Sequence, residues 1–401
     1  MKSAVRKIIG STSAALAVAV GAALLAPPAA HAAPAYPFAD PDPFYGAPAD
    51  VGARADGDVL ASRPVAATGF PTADAWQVKY KSTNSAGAPI AAITTVLVPR
   101  GTPANRPLVS YQPFVNALGL ECAPSHQLFN GGIQEGPALN ALLARGWAVA
   151  VPDHLGPTSA YGAAKLGGRL VLDGVRAAQR LPEAGLGGSP VGLAGYSGGA
   201  MATNWAAALA PTYAPELNIV GAAQGGTPVN IGELADRLGG TRSQAFGLGF
   251  AAAIGLEREY PTRSPLGDGL NGEGLDLRTQ MSNMCTDSIL GAGAGRSLPD
   301  LTNGPGILAD PSGRSVMDEN SVELYPGVPR TPMFVWHGSA DPLVAIGPVQ
   351  NTVARYCSQG ARVQFDVIPG ADHGTATMLG AGPAFGYLGD RFAGIPAPSN
   401  C

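Results

Sequence analysis

The chain has 401 residues, of which 46% are hydrophobic and only 13% charged, with a formal net charge of −4. That balance excludes a broad basic face for nucleic acid. It supplies enough apolar side chains for one sizeable α/β core carrying a large insertion.

In chain order, the first element is a targeting signal. Lys2, Arg6 and Lys7 precede the apolar run AALAVAVGAALLAPPAA, and Ala30-His31-Ala32 supplies a small-residue cleavage site. Residues 1–32 are expected to be a signal peptide, cut before Ala33. A membrane anchor is the alternative, but the run is short, ends in prolines and meets a cleavage site. No other stretch could span a bilayer, so the mature protein is expected to be exported and soluble.

Residues 33–50, APAYPFADPDPFYGAPAD, are proline-rich and read as a linker or an extended surface arm. QVKYKSTNSAGAPIAAITTVLVP reads as a hairpin turning at Asn84-Ser85-Ala86-Gly87. RPLVSYQPF is a strand running into a loop. ALNALLARGWAVAVPDHLGP reads as helix, turn, strand and loop, with Ala138, Leu142 and Leu143 on the helix face and Gly146 as its stop. AAKLGGRLVLDGVRAAQRL is a further helix burying Leu166, Leu170, Val171 and Val175. PVGLAGYS is a strand and GAMATNWAAALA a helix. NIVGAAQGG, PMFVWHGSA and RVQFDVIPG are later strands. Strands alternating with helices predict a mostly parallel sheet flanked by helices. About a hundred residues between Gly226 and Thr331 have no strand pattern and read as a helical cap or lid. The expected layout is a first core part at 33–227, the insertion at 228–330, and a second core part at 331–401.

Chemistry concentrates at Gly195-Tyr196-Ser197-Gly198-Gly199, a G-x-S-x-G pattern at a strand-to-helix turn. There the glycines allow close strand–helix packing, the serine Oγ is exposed, and the Gly198 N–H can bind a developing oxyanion. A serine needs a base held by an acid. His373 follows the last strand and is the best base; it is expected in a loop. Asp341, just past a strand end in WHGSADPLV, is the expected acid. Asp366 lies within a strand, and Asp372 is adjacent to the histidine, so its side chain diverges from it. His126 and His337 read as structural, and His154 as a loop histidine or a pocket-lining one.

Four cysteines, Cys122, Cys285, Cys357 and Cys401, suit two disulfides in an oxidising compartment, and spacing leaves three pairings open. A zinc site is the rival, but no CxxC or HxxxH supports it.

The order of DPFYGAP, GDVLASRPV, YKSTNSAGAPIAAITTVLVP, PDHLGP, LDGVRAA, GYSGG and WHGSADPLV resembles the secretory lipases of fungi and actinomycetes, the lipase A type of α/β-hydrolase. The resemblance implies a cofactor-free lipase or carboxylesterase acting on acyl glycerols, with Ser197, Asp341 and His373 as the triad. It also implies a cap within 228–330 and disulfides Cys122–Cys285 and Cys357–Cys401. One departure stands out: family members carry an acidic pair where this chain has Val115-Asn116, so the oxyanion aspartate becomes Asn116. The main-chain N–H groups of Gly198 and Asn116 are expected to form the oxyanion hole, and the Asn116 side-chain amide, which donates at any pH, is expected to keep it insensitive to pH. Substrate could be met at a lipid–water interface, and a monomer is favoured. The alternatives are an exported serine peptidase on the same triad and a non-catalytic binding module on the same scaffold.

Overall fold

The structure is a computed structural model and describes Met1, residues 32–304 and residues 306–401. The expected signal peptide therefore lies outside the described residues, apart from Met1 and Ala32. Among the described residues, no helix is long and apolar enough to cross a membrane.

Among the described residues, nine strands form one sheet in the order β1-β2-β3-β5-β4-β6-β7-β8-β9. The hairpin is β2 (Ala73–Thr83) and β3 (Pro89–Pro99), and Asn84 closes its turn by accepting from the N–H groups of Ala86 and Ala88. An edge strand without a sequence prediction, β1 (Val59–Val65), pairs with β2. The pairs β1/β2, β2/β3 and β3/β5 are antiparallel. The rest are parallel: β4 (Leu108–Gln112), β5 (Ala148–Pro152), β6 (Val191–Tyr196), β7 (Ile219–Gly225), β8 (Met333–Gly338) and β9 (Val363–Ile368). The central strands are buried along their whole length, as a sheet covered on both faces requires.

Helix α1 (Gly136–Ala144) buries Leu139, Leu142 and Leu143, while Ala138 is only half-buried, so its inward face is centred one residue later than expected. Helix α2 (Ala164–Arg180) buries Leu166, Leu170, Val171 and Val175 as the spacing predicts. It packs on α3 (Gly198–Tyr213), which leaves the nucleophile turn directly. Between β7 and β8 the chain forms further helices, among them α4 (Ile231–Gly239), α5 (Phe246–Glu259), α6 (Gly272–Met281), α7 (Thr286–Gly293) and α8 (Pro311–Glu319). After β8 come α9 (Ile346–Ser358) and the long α10 (His373–Phe392).

The proline-rich segment is an arm bound to the body rather than a loose linker. Tyr45 stacks on His126 at 4.4 Å and donates to Ser125 Oγ at 2.9 Å, and His126 Nε2 lies 2.6 Å from Asp40. Its first residues reach the insertion: Arg278 donates to the Ala33 carbonyl at 2.6 Å and Arg258 to that of Ala35 at 2.8 Å. Cysteines pair as Cys122–Cys285 and Cys357–Cys401.

Candidate active site

Strand β6 ends at Tyr196, and α3 begins at Gly198, leaving Ser197 alone at the turn. Its φ of 51° and ψ of −122° are strained for a residue with a Cβ. The turn is this tight because its neighbours are bare. A Cβ at Gly199 would strike the Gln112 carbonyl, and one at Gly195 would strike Thr203 Oγ1. A Cβ at Gly198 would fall on Asn116 Oδ1. Among the described residues no hydrogen bond engages the Gly198 N–H, as expected for the first residue of a helix.

Three side chains from separate elements form one row. His373 Nε2 lies 2.8 Å from Ser197 Oγ, and His373 Nδ1 lies 2.6 Å from Asp341 Oδ2. The other Asp341 oxygen accepts from the N–H groups of Leu343 and Val344, both at 2.9 Å. Burial pushes the Asp341 carboxyl up, but the His373 hydrogen bond and these two donors outweigh it and hold the group below its ordinary range.

His373 differs from its expected setting. It is the first residue of α10, not part of a loop, and Asp372 caps that helix by accepting from Thr375 N–H at 2.7 Å. Asp372 is thereby occupied away from the imidazole, and Asp366 stays within β9. Tyr196 does more than fill the turn: its hydroxyl donates to the His373 carbonyl at 2.6 Å, and the two rings lie 5.1 Å apart.

His337 was expected to be structural and is fully buried on β8. Its Nε2 donates to the Val344 carbonyl at 3.0 Å and lies 3.6 Å from Asp341 Oδ2. It thus braces the turn that holds the acid, a contact between residues seven apart that no local pattern predicts. His154 does not line the cavity at Ser197. It is buried with no hydrogen-bond partner for either ring nitrogen among the described residues, and burial lowers it to about 4, so it is neutral. Asn116 does line the cavity, beside Ser197 and Gly198. Its main-chain N–H, expected to point into the hole, instead donates to Thr286 Oγ1 at 3.3 Å.

Ser197, Gly198 and His373 open onto a cavity of about 1000 Å³, mouth included, walled by Ile231, Leu234, Leu238, Phe246 and Phe250. Apart from His373, no titratable side chain but Tyr161 lines it among the described residues, and most of its wall comes from the insertion.

The secretory lipase family model matches residues 134–400. The chain belongs to the secretory lipase family. This secretory lipase is 33% identical over 412 residues to lipase A of Moesziomyces aphidis, covering 96% of this chain and 88% of that one. It is 35% identical over 372 residues to a Mycobacterium tuberculosis protein named "probable inactive lipase", covering 88% and 82% of the two. The closed-state structure of Candida antarctica lipase A superposes with a TM-score of 0.84 at 31% identity, covering 90% of this chain and 89% of that one. The fold is that of an α/β-hydrolase, and the secretory lipase is an ester hydrolase of the lipase class.

Proposed function

We propose that this lipase is an exported serine hydrolase that cleaves acylglycerols and related esters through a covalent acyl-enzyme. The observation that carries the reading is the hydrogen-bonded row Ser197–His373–Asp341 at the mouth of an apolar cavity. Ser197 Oγ attacks the ester carbonyl while His373 Nε2 takes its proton. Asp341 holds the imidazole in the tautomer with Nδ1 protonated and stabilises the imidazolium. Gly198 N–H and Asn116 take the charge that develops on the carbonyl oxygen. Collapse breaks the ester C–O bond, and His373 returns the proton to the leaving alcohol. A water molecule then attacks the acyl-enzyme with the same proton relay, releasing the carboxylic acid and freeing Ser197. No step requires a metal or cofactor.

The cavity supports an acyl chain as the bound group. Each buried methylene contributes up to about 0.8 kcal/mol, and a wall that among the described residues has no Asp, Glu, Lys or Arg side chain gives charged peptide ends no partner. The residues at 228–330 would act as a cap over this site, and a monomer would meet substrate at a lipid–water interface. The relative named inactive favours a second reading, binding without turnover. A tagged fluorophosphonate decides between them. Labelling at Ser197, together with hydrolysis of nitrophenyl esters and not of peptide anilides, is expected. An unlabelled folded protein would refute the triad.

A further inference from the structure

The loop that carries Asn116 is a wall between two cavities. One is the apolar cavity at Ser197. The other, about 800 Å³ with its mouth, is lined by Phe114, Val115, Ala117, Glu135, Cys285 and Thr286 among others. Thr286 lines the second cavity and not the first. Three main-chain N–H groups along the wall reach acceptors outside it, while that of Val115 turns back onto the Pro113 carbonyl at 2.8 Å. Phe114 donates to Glu135 Oε1 at 2.8 Å, Asn116 to Thr286 Oγ1 at 3.3 Å, and Leu118 to the Met284 carbonyl at 2.9 Å.

Two of those three acceptors belong to the insertion, in a strap formed by residues 282–286. The strap is well fastened. Cys285 is bonded to Cys122. Arg258 donates to both the Leu118 carbonyl at 2.8 Å and the Ser282 carbonyl at 2.7 Å. A Cβ at Gly119 would strike the Asn283 carbonyl, so wall and strap run in direct contact.

We propose that Thr286 is a positioning residue of the oxyanion hole, and that it leaves the side-chain amide of Asn116 to act as the second donor. This rests on the triad reading above. With its main-chain N–H given to Thr286, Asn116 has only its amide to offer the cavity. The side chain already lies against Gly198, the residue of the first donor: a Cβ there would strike Oδ1 and come only within 3.7 Å of Nδ2, so the oxygen packs on Gly198 and Nδ2 is the atom left to donate. Asn116 Oδ1 is buried without a partner among the described residues, and the residue's one hydrogen bond among them is that of its main-chain N–H. The buried unpaired atom is the oxygen, an acceptor, so the donor role rests on Nδ2, which has no other partner to give up. Here nothing bonded to the amide holds it in position; its backbone does, and Thr286 holds the backbone. An amide donates at any pH, which the aspartate expected at this position does only when protonated.

The test is a double-mutant cycle on kcat for a short nitrophenyl ester. Thr286→Val keeps the shape and removes the acceptor; kcat should fall about tenfold with KM unchanged, and Thr286→Ser should restore most of it. Asn116→Ala should cost on the order of 10²-fold. In that background Thr286→Val should cost nothing more, because its effect passes through Asn116. Equal losses in both backgrounds, or none in either, would overturn the proposal. If Thr286→Val does not fold, Thr286→Ala carries the same expectations. Asn116→Asp supplies a readout without touching Thr286: kcat should drop at neutral pH and recover toward wild type as pH falls. A pH profile superimposable on the wild type would remove the side-chain donor. Fluorophosphonate labelling of wild-type Ser197 comes first. Its absence refutes the triad, whereas labelling with additive losses refutes only this proposal.

Discussion

Replacing Glu135 by Gln should stabilise the enzyme, and only as pH rises. Glu135 is buried at the start of α1 with no Lys or Arg paired to it among the described residues; Phe114 N–H is its donor from across the wall. Burial raises its carboxyl from 4.5 to about 7, against the weaker opposing pull of the Phe114 and Glu135 main-chain groups. The Tyr111 phenol on β4, which feels the Glu135 charge, is buried too and stays neutral. The folded state therefore holds this proton more tightly than the unfolded chain does. Stability is lost as pH climbs from about 4.5 through 7, and the loss is complete above that. At 1.36 kcal/mol per pH unit the ionised group costs on the order of 3 kcal/mol. Gln keeps an oxygen for Phe114 N–H and cannot ionise. The Tm curves of wild type and Glu135→Gln should nearly meet at pH 5 and separate by about 3 °C at pH 8, the variant being higher. All other titrations are shared, so the difference isolates Glu135. Parallel curves from pH 5 to 8 would refute the argument.

Ser197→Ala should lower kcat on the order of 10⁶-fold with the fold intact. Asp341→Asn should cost about 10⁴-fold through the wrong tautomer, whereas Asp372→Asn, a helix cap, should stay near wild type; the reverse ranking would exchange the acids. Reducing Cys122–Cys285, which closes 163 residues, should cost about 5 kcal/mol in the chain-entropy model, and Cys357–Cys401, which closes 44, about 4; denaturant titration of the Cys→Ser variants checks the order. Across esters of graded length, kcat/KM should rise up to about fourfold per methylene until the cavity is filled, and Ala253→Trp, in its wall, should shorten the preferred chain. Unchanged chain-length selectivity would exclude that wall from acyl binding.

What could be read from the sequence was local. The hairpin turn at Asn84, the buried runs of β4 to β8 and the apolar stripe of α2 each follow from residues close in the chain. The G-x-S-x-G turn was legible because strand, glycines and helix lie in one stretch. Helix α10 was not. Pro383 and five glycines argue against a helix there, but Gly380 answers to packing: a Cβ there would fall on the Trp336 indole. Asp372 looked like a rejected acid and is the cap of that helix. Asn116 was singled out, yet the partner of its N–H is 170 residues away in the insertion. His337 and Glu135 gained their roles in the same way, from contacts that only the folded chain creates.

The proline-rich arm has a practical consequence. Its opening residues are clasped by two arginines of the insertion, at Ala33 and Ala35, and Phe38 N–H is held by Asn283. An affinity handle fused just ahead of Ala33 would press on the helical segment that walls the cavity at Ser197. At the other end, Cys401 is exposed and anchored to Cys357. A purification tag hung there would trail into solvent from a stapled attachment point, so recombinant material for kinetics is better captured by its tail than by its head.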